Sequence, residues 1–359
     1  MTAERAIELQ ERAWVLQAEG RLVEASQIMR EALHLVEQED GLETPDVANL
    51  LNELSEIESD RQNFDAALAL AERAHAIEEA LADGFSGAST ARIRIRTCSQ
   101  LGEIRCMRGD YGCAEGDLLK GLTIAVTEFG QASEEAAEAS NNLAVLYKYW
   151  GRFDEALNLY QEALRRLSAL HGEDSEAVAV LLHNIGGVLH AKGDFAAAAE
   201  PGRRAWNLSR RQLGEDDPKT LAHAAAYASI LDGLERYEES EPIYRHVLSV
   251  MERVLGTEHQ EIAANLHNLA AVLAARGRPD EALDCYRRAL AIKEKLFGAE
   301  SPDAALTCNN IGQLLSELGR ASEAIPLLRR AVAILEGRLT PEHPHLAAAR
   351  VNLETALSS

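Results

Sequence analysis

Apolar residues recur along the chain in stretches with the spacing of an α-helix, and glycines separate these stretches at regular intervals. Glycine commonly ends a helix because it adopts the left-handed conformation without strain. One series of glycines returns every 42 residues, at Gly130, Gly172, Gly214, Gly256 and Gly298. A second series divides each period in two, at Gly109, Gly151, Gly193, Gly277 and Gly319. The pattern predicts a repeated unit of helix A, a tight turn, helix B and a longer turn.

Small and bulky residues also hold fixed positions within the period. The small ones are Ala144, Gly186, Ala228, Ala270 and Gly312 on helix A, and Ala156, Ala198, Ser240, Ala282 and Ala324 on helix B. The bulky ones include Leu143, Ile185, Leu269 and Ile311 on helix A, and Tyr160, Tyr244 and Tyr286 on helix B. Two helices approach closely only where side chains are small, and larger neighbours fill the remaining space. We therefore predict an all-α chain of packed helical hairpins.

With these positions established, the chain resembles the tetratricopeptide repeat family. The stretch NNLAVLYKYWGRFDEALNLYQEALRRLSALHG is similar to the 42-residue repeats of kinesin light chains and their bacterial relatives. The resemblance covers the whole chain and implies a right-handed α-solenoid of eight helix-turn-helix hairpins in one domain, residues 1–359. The predicted repeats are approximately residues 1–41, 42–85, 86–130, 131–172, 173–214, 215–256, 257–298 and 299–340. A helix within residues 341–359 would cover the open end of the stack.

Composition narrows the classes of function. The formal net charge of −22 would repel nucleic acid, and no apolar stretch has the length of a membrane span. The five cysteines show no CxxC spacing, and no nucleotide-binding, zinc-protease or nucleophile motif occurs. We expect a cytoplasmic protein that is not an enzyme, with no metal or other cofactor and no nucleic-acid or membrane partner.

The most informative polar pattern is an asparagine at one position of successive A helices. The members are Asn142, Asn184, Asn268, Asn310 and Asn352. The preceding position is also polar, with Asn141, His183, His267 and Asn309. The resemblance implies that the asparagine column lies on the concave face and hydrogen-bonds the backbone of a bound peptide, since a carboxamide both donates and accepts. The alternative is that these amides bond neighbouring A helices or face solvent.

Two further features concern what such a groove would select. In the sixth repeat Ala226 and Ser229, with Ala222 and Ala225, replace the larger polar residues of other repeats. This predicts a pocket between Asn184 and Asn268, unless alanine serves only helix packing. In the third repeat Arg92, Arg96 and Gln100 are spaced one turn apart. They would grip an acidic ligand group, or the arginines would pair with nearby glutamates.

These observations predict a module for protein–protein interaction that binds an extended peptide in its concave groove. The alternative is a scaffold or regulatory subunit that docks a folded protein, or a second copy of itself, through its convex surface. Glu11 and Glu53 take the asparagine position in the first two repeats, so that end either does not contact the ligand or contacts a basic part of it.

Overall fold

The computed structural model describes residues 2–81, 87–338 and 343–358, and within them every regular element is an α-helix. The first nine helices are α1 (Thr2–Ala18), α2 (Leu22–Asp40), α3 (Pro45–Asp60), α4 (Phe64–Leu81), α5 (Ala88–Met107), α6 (Tyr111–Phe129), α7 (Glu134–Tyr149), α8 (Phe153–His171) and α9 (Glu176–Ala191). The remaining ones are α10 (Phe195–Leu213), α11 (Pro218–Gly233), α12 (Tyr237–Leu255), α13 (Gln260–Ala275), α14 (Pro279–Phe297), α15 (Pro302–Glu317), α16 (Ala321–Glu336) and α17 (Pro344–Ser358). The prediction of an all-α chain is confirmed.

Helix starts follow the local chemistry of the turns. Thr44 and Ser301 each accept a hydrogen bond from a backbone N–H of the first turn and stand directly before a proline at the first helical position. Asp217 does the same ahead of Pro218. Proline suits this position because its missing N–H would have no partner inside the helix.

The tight turn between helix A and helix B always contains one residue with a positive φ. Glycine holds this position in most repeats, but Gln62 (φ 59°) and Glu235 (φ 58°) hold it in the second and sixth. A non-glycine residue there is strained by about 1 kcal/mol. The packing of the flanking helices therefore determines the turn conformation even where the sequence lacks a glycine.

The chain forms two compact units, Met1–Val188 and Leu189–Ser359, and the division falls inside α9. In the first unit the predicted small residues Ala144 and Ala156 have no exposed surface, and Tyr160 is buried as well. In the second unit Ala228 and Tyr244 are equally buried. The prediction of a single domain over residues 1–359 stays a prediction, as do the repeat boundaries. Two of these boundaries, after residues 85 and 340, lie outside the described residues.

The last helix packs as the predicted cap within the second unit. Leu346, Ala349 and Ala356 of α17 are buried, and Leu346 and Ala349 belong to the same apolar cluster as residues of α15 and α16. The predicted arrangement of paired helices followed by a C-terminal helix is confirmed.

Candidate peptide-binding groove

In the first unit, three amides of α7 and α9 and a hydroxyl of α5 form a chain of hydrogen bonds. Asn184 on α9 donates to Oδ1 of Asn141 on α7 over 2.8 Å. Asn141 donates to Oδ1 of its neighbour Asn142 over 3.3 Å, and Asn142 donates to Oγ of Ser99 on α5 over 3.1 Å. Asn141 and Asn142 thus each accept from one side and donate to the other. We call this series the first amide relay.

The second unit repeats this arrangement in α13, α15 and α17. Asn352 donates to Asn309 over 2.9 Å, Asn309 donates to Asn310 over 3.3 Å, and Asn310 contacts Nε2 of His267 over 3.0 Å. We call it the second amide relay. Because Asn310 offers an N–H, His267 accepts through Nε2 and carries its proton on Nδ1.

His267 is neutral in this setting. Its ring packs edge-on against Tyr286, with the ring centres 5.1 Å apart, and its Nδ1 is buried without a hydrogen-bond partner among the described residues. The pKa of His267 is lowered to about 4, mainly by burial and in addition by the nearby Lys293 ammonium. The charged imidazolium is disfavoured because it loses solvation without gaining an anion.

The relays join each asparagine to the residue one position earlier in the preceding repeat, 43 residues back in the chain. This is the arrangement of the alternative in which the amides connect neighbouring A helices. The same offset holds at the start of the chain, where Gln10 donates to Glu53 over 2.8 Å. A peptide-binding role for Asn142, Asn184 and Asn310, which are all half-buried, stays a prediction.

The sixth repeat interrupts the column as its sequence suggested. Ala225 occupies the position that would accept from Asn268, and its methyl side chain cannot accept a hydrogen bond. Ser229 lies 3.1 Å from Nε2 of His190, and Ala226 is half-buried on α11. His183 is likewise half-buried at its column position on α9. The pocket expected between Asn184 and Asn268, which belong to different units, stays a prediction.

The two arginines of the third repeat have partners within the protein. Arg92 pairs with Glu135 over 2.8 Å and lies 5.0 Å from the ring centre of Phe129. Arg96 pairs with Glu56 over 2.9 Å. These contacts are the pairing with glutamates that was the alternative to gripping an acidic ligand. Gln100 donates to the carbonyl oxygen of Asn52 over 3.1 Å, so its amide ties α5 to α3.

A cleft of about 590 Å³ opens beside these residues, and every residue of its lining belongs to the A helices α3, α5 or α7. Ser99, Arg96 and Gln100 line it, together with six carboxylates. We call it the acidic cleft, and its carboxylates are Glu56, Asp60, Glu103, Glu134, Glu135 and Glu138. Sequence reasoning did not find this cleft, because its walls come from three repeats.

An apolar pocket of about 280 Å³ adjoins the acidic cleft, and Ser99 and Glu103 line both. The rest of its lining is mainly apolar and comes from α5, α6 and α7. These residues are Gly102, Cys106, Met107, Leu118, Asn142, Val145, Leu146 and Tyr149. The first amide relay therefore reaches the wall of this pocket through Ser99 and Asn142.

Other kinds of site find little support in the part of the chain that the structure describes. Those residues contain no group of three or more side chains placed to hold a metal ion. None of the described helices is both long enough and apolar enough to cross a membrane. The five cysteines are unpaired, and Cys113 is exposed.

Comparison with protein families identifies the class. Two family models described as tetratricopeptide repeat match the chain, one at residues 94–169, 151–211, 220–295 and 261–337, the other at residues 47–84. Together these matches span more than half of the chain. The protein belongs to the tetratricopeptide repeat family, and the predicted resemblance is confirmed.

Individual relatives share part of this chain. A clustered mitochondria protein homolog from Emericella nidulans is 26% identical over 194 residues, which is 54% of this chain and 15% of the relative. The Homo sapiens homolog is 28% identical over 92 residues, 26% of this chain and 7% of that protein. The chain thus spans only a small part of the length of these relatives.

Solved structures are similar in fold. BtubC (BKLC) from P. vanneervenii has a TM-score of 0.56 at 22% identity, covering 66% of this chain and 92% of that one. A Rap protein complexed with competence and sporulation factor has a TM-score of 0.58 at 13% identity, covering 99% and 97%. Repeats of a putative kinesin light chain from Podosopora anserina have a TM-score of 0.50 at 21% identity, covering 56% and 94%. At these identities the likeness concerns the fold alone.

Proposed function

We propose that this protein is a non-enzymatic interaction module that binds an extended segment of a partner protein along the exposed edge of its A helices. The observation that carries the proposal is the acidic cleft, a cavity of about 590 Å³ lined only by A helices. Concave sites of this size are the usual places for a ligand to bind. The Rap protein of similar fold was solved in complex with competence and sporulation factor. That complex supports a ligand-binding use of such a fold.

The amide relays add a second element to the proposal. An asparagine side chain carries two N–H groups, and the first relay uses one from Asn142 and one from Asn184. The other N–H of each amide can donate to a carbonyl of a bound backbone. Helices pack about 10 Å apart and an extended peptide advances about 3.3 Å per residue, so successive repeats would meet every third peptide residue. By holding each amide in one orientation, the relay lowers the cost of ordering it on binding.

The test is a peptide-array screen with the wild type and two matched double variants. Asn184→Ala/Asn268→Ala alters the asparagine column, and Arg203→Ala/Arg287→Ala alters exposed arginines of two B helices. We expect the first variant to lose ligands and the second to keep them, with melting temperatures recorded for both. Ligand binding that survives the first variant and disappears in the second would contradict the proposal.

One observation favours the convex surface as a second candidate. A cavity of about 330 Å³ in the second unit is lined by Trp206, Pro242 and Ile243 from α10 and α12, with further residues of α11. A largely apolar opening beside two B helices suits docking of a folded partner or of another copy of the chain. Sedimentation of the wild type and of Ile243→Glu would test self-association through this surface. The expected cytoplasmic location stays a prediction.

A further inference from the structure

We propose that the acidic cleft and the apolar pocket beside it together bind one basic segment of a partner protein, with a lysine or arginine in the cleft and a large apolar side chain in the pocket. This inference rests on the proposed function, because it names the chemistry of the segment that the A helices would bind.

The pocket has the shape and lining of a site for one apolar side chain. Its volume of about 280 Å³ accommodates an aromatic or long aliphatic group, and its walls include Val145, Leu146 and Leu118. Met107 and Tyr149 in its lining are 56% and 59% exposed. Large apolar side chains around an open cavity are the usual mark of a binding surface, because their burial by a ligand is favourable.

The cleft next to it carries a strong excess of negative charge. Six carboxylates face two guanidinium groups, a formal balance of −4. Both guanidinium groups are already paired, Arg92 with Glu135 and Arg96 with Glu56. The cleft therefore has no spare cation for an acidic ligand and several carboxylates available to a basic one. A cavity of one sign of charge concentrates ligands of the opposite sign and raises their rate of association.

Glu103 stands at the junction of the two cavities and lines both. No hydrogen bond or ion pair to Glu103 occurs among the described residues. Glu103 is exposed on the cleft side, and partial loss of solvation together with the nearby carboxylates of Glu56 and Asp60 raises its pKa. A cation that binds between the two cavities would meet this carboxylate and reduce the repulsion among the like charges of the cleft.

The shared lining determines how the two parts of the ligand are spaced. Because Ser99 and Glu103 belong to both cavities, a basic and an apolar side chain on one extended segment reach them when they lie within two residues of each other. An acidic segment would be repelled by the cleft. A purely apolar segment would fill the pocket but leave the carboxylates of the cleft uncompensated. A basic residue close to an apolar one is therefore the ligand chemistry that satisfies both cavities.

The experiment is a randomised array of 12-residue peptides probed with the full chain at low and at high salt. We expect enrichment of lysine or arginine within two residues of phenylalanine, tryptophan, tyrosine or leucine, and weaker binding at high salt. The strongest peptide is then titrated against three variants. Glu103→Gln should weaken binding about tenfold, as expected for the loss of one charge-assisted contact. Tyr149→Ser should weaken it several-fold, about the effect of losing part of an apolar wall.

The matched control is Glu128→Gln, which makes the same change of charge at an exposed position on α6 in the same unit. It should leave the affinity within about twofold, since an exposed charge that lines neither cavity is screened by salt. Equal weakening by Glu103→Gln and Glu128→Gln would overturn the inference, because the effect would then come from overall charge.

The array also separates the inference from the function on which it rests. Enrichment of acidic or uncharged peptides, lost in Asn184→Ala/Asn268→Ala, would overturn the basic ligand and leave the peptide-binding function standing. Absence of binding to every class of peptide would overturn both.

Discussion

The clearest test of the amide relays is to replace His267 by asparagine. Asn141 and Asn309 hold the position of His267 in other repeats. Their Oδ1 atoms accept hydrogen bonds from the asparagine of the next repeat over 2.8 and 2.9 Å. The change His267→Asn therefore keeps an acceptor for Asn310 and removes the titrating ring. It also removes the edge-on contact with Tyr286, a kind of contact that is worth about 0.5 to 1.5 kcal/mol between neutral aromatic rings.

The expected effect of pH follows from the lowered pKa of His267. In the folded chain this pKa is about 4, against an ordinary value of 6.5. Between these values the unfolded chain binds a proton that the folded chain does not. The stabilising contribution of the neutral ring is therefore complete above pH 6.5 and is lost as the pH falls towards 4. The wild type should lose about 1 to 2 kcal/mol from this residue between pH 7 and pH 5.

The assay is chemical or thermal unfolding of the wild type and His267→Asn at pH 8, 7, 6 and 5. We expect the variant to match or fall slightly below the wild type at pH 8, and the difference to move in favour of the variant as the pH falls. His246→Asn, at an exposed position of the same unit, controls for the removal of a histidine from the surface. A constant difference between His267→Asn and the wild type from pH 8 to pH 5 would refute the buried, neutral acceptor.

Three further substitutions have effects that unfolding experiments can measure. Glu78 accepts a hydrogen bond from Thr97 over 2.5 Å, and burial raises the pKa of its carboxyl group. Stability is therefore lost as the pH rises from the ordinary pKa of a glutamate through the raised pKa of Glu78. Glu78→Gln should stabilise the chain at pH 8 and have little effect at pH 4. A Cβ at Gly312 would lie 2.5 Å from Cγ of Leu328, so Gly312→Ala should cost about 1 to 3 kcal/mol. Glu241 is nearly buried and pairs with three partly exposed arginines, so Glu241→Ala should cost about 1 to 2 kcal/mol from the lost charge-assisted hydrogen bonds.

Each of these has a definite contrary outcome. Equal effects of Glu78→Gln at pH 4 and pH 8 would mean that the carboxyl does not titrate across that range. An unchanged melting temperature of Gly312→Ala would mean that Leu328 moves aside without cost. For that site the variant Gly312→Ala/Leu328→Tyr is the matched control, since Ala144 and Tyr160 occupy the corresponding positions of the fourth repeat. A small effect of Glu241→Ala that disappears at high salt would indicate an exposed ion pair instead.

Much of the fold could be predicted because its determinants are local. The glycine series predicted the turns, and the positions of Ala144 and Ala228 predicted the close contacts between helices. The same logic did not reach Gln62 and Glu235, which adopt the glycine conformation because the flanking helices hold the turn. The sequence also predicted which positions carry the asparagine column, but not which groups these amides hydrogen-bond. Asn184 and Asn141 belong to columns with the same period, so the repeat alone cannot tell whether an amide meets a ligand or the adjacent column.

The sequence by itself determined that the fold is all-α, the order of the helices and the residues buried between them. Helix formation, capping and close packing depend on residues near one another in a repeat. Only the tertiary structure decided which amide bonds which, because the 43-residue offset depends on how neighbouring A helices are shifted along their axes. It likewise decided that Arg92 and Arg96 are paired and that Glu103 joins a cleft to a pocket. These features bring together side chains from three repeats, and their distances follow from the packing of whole helices.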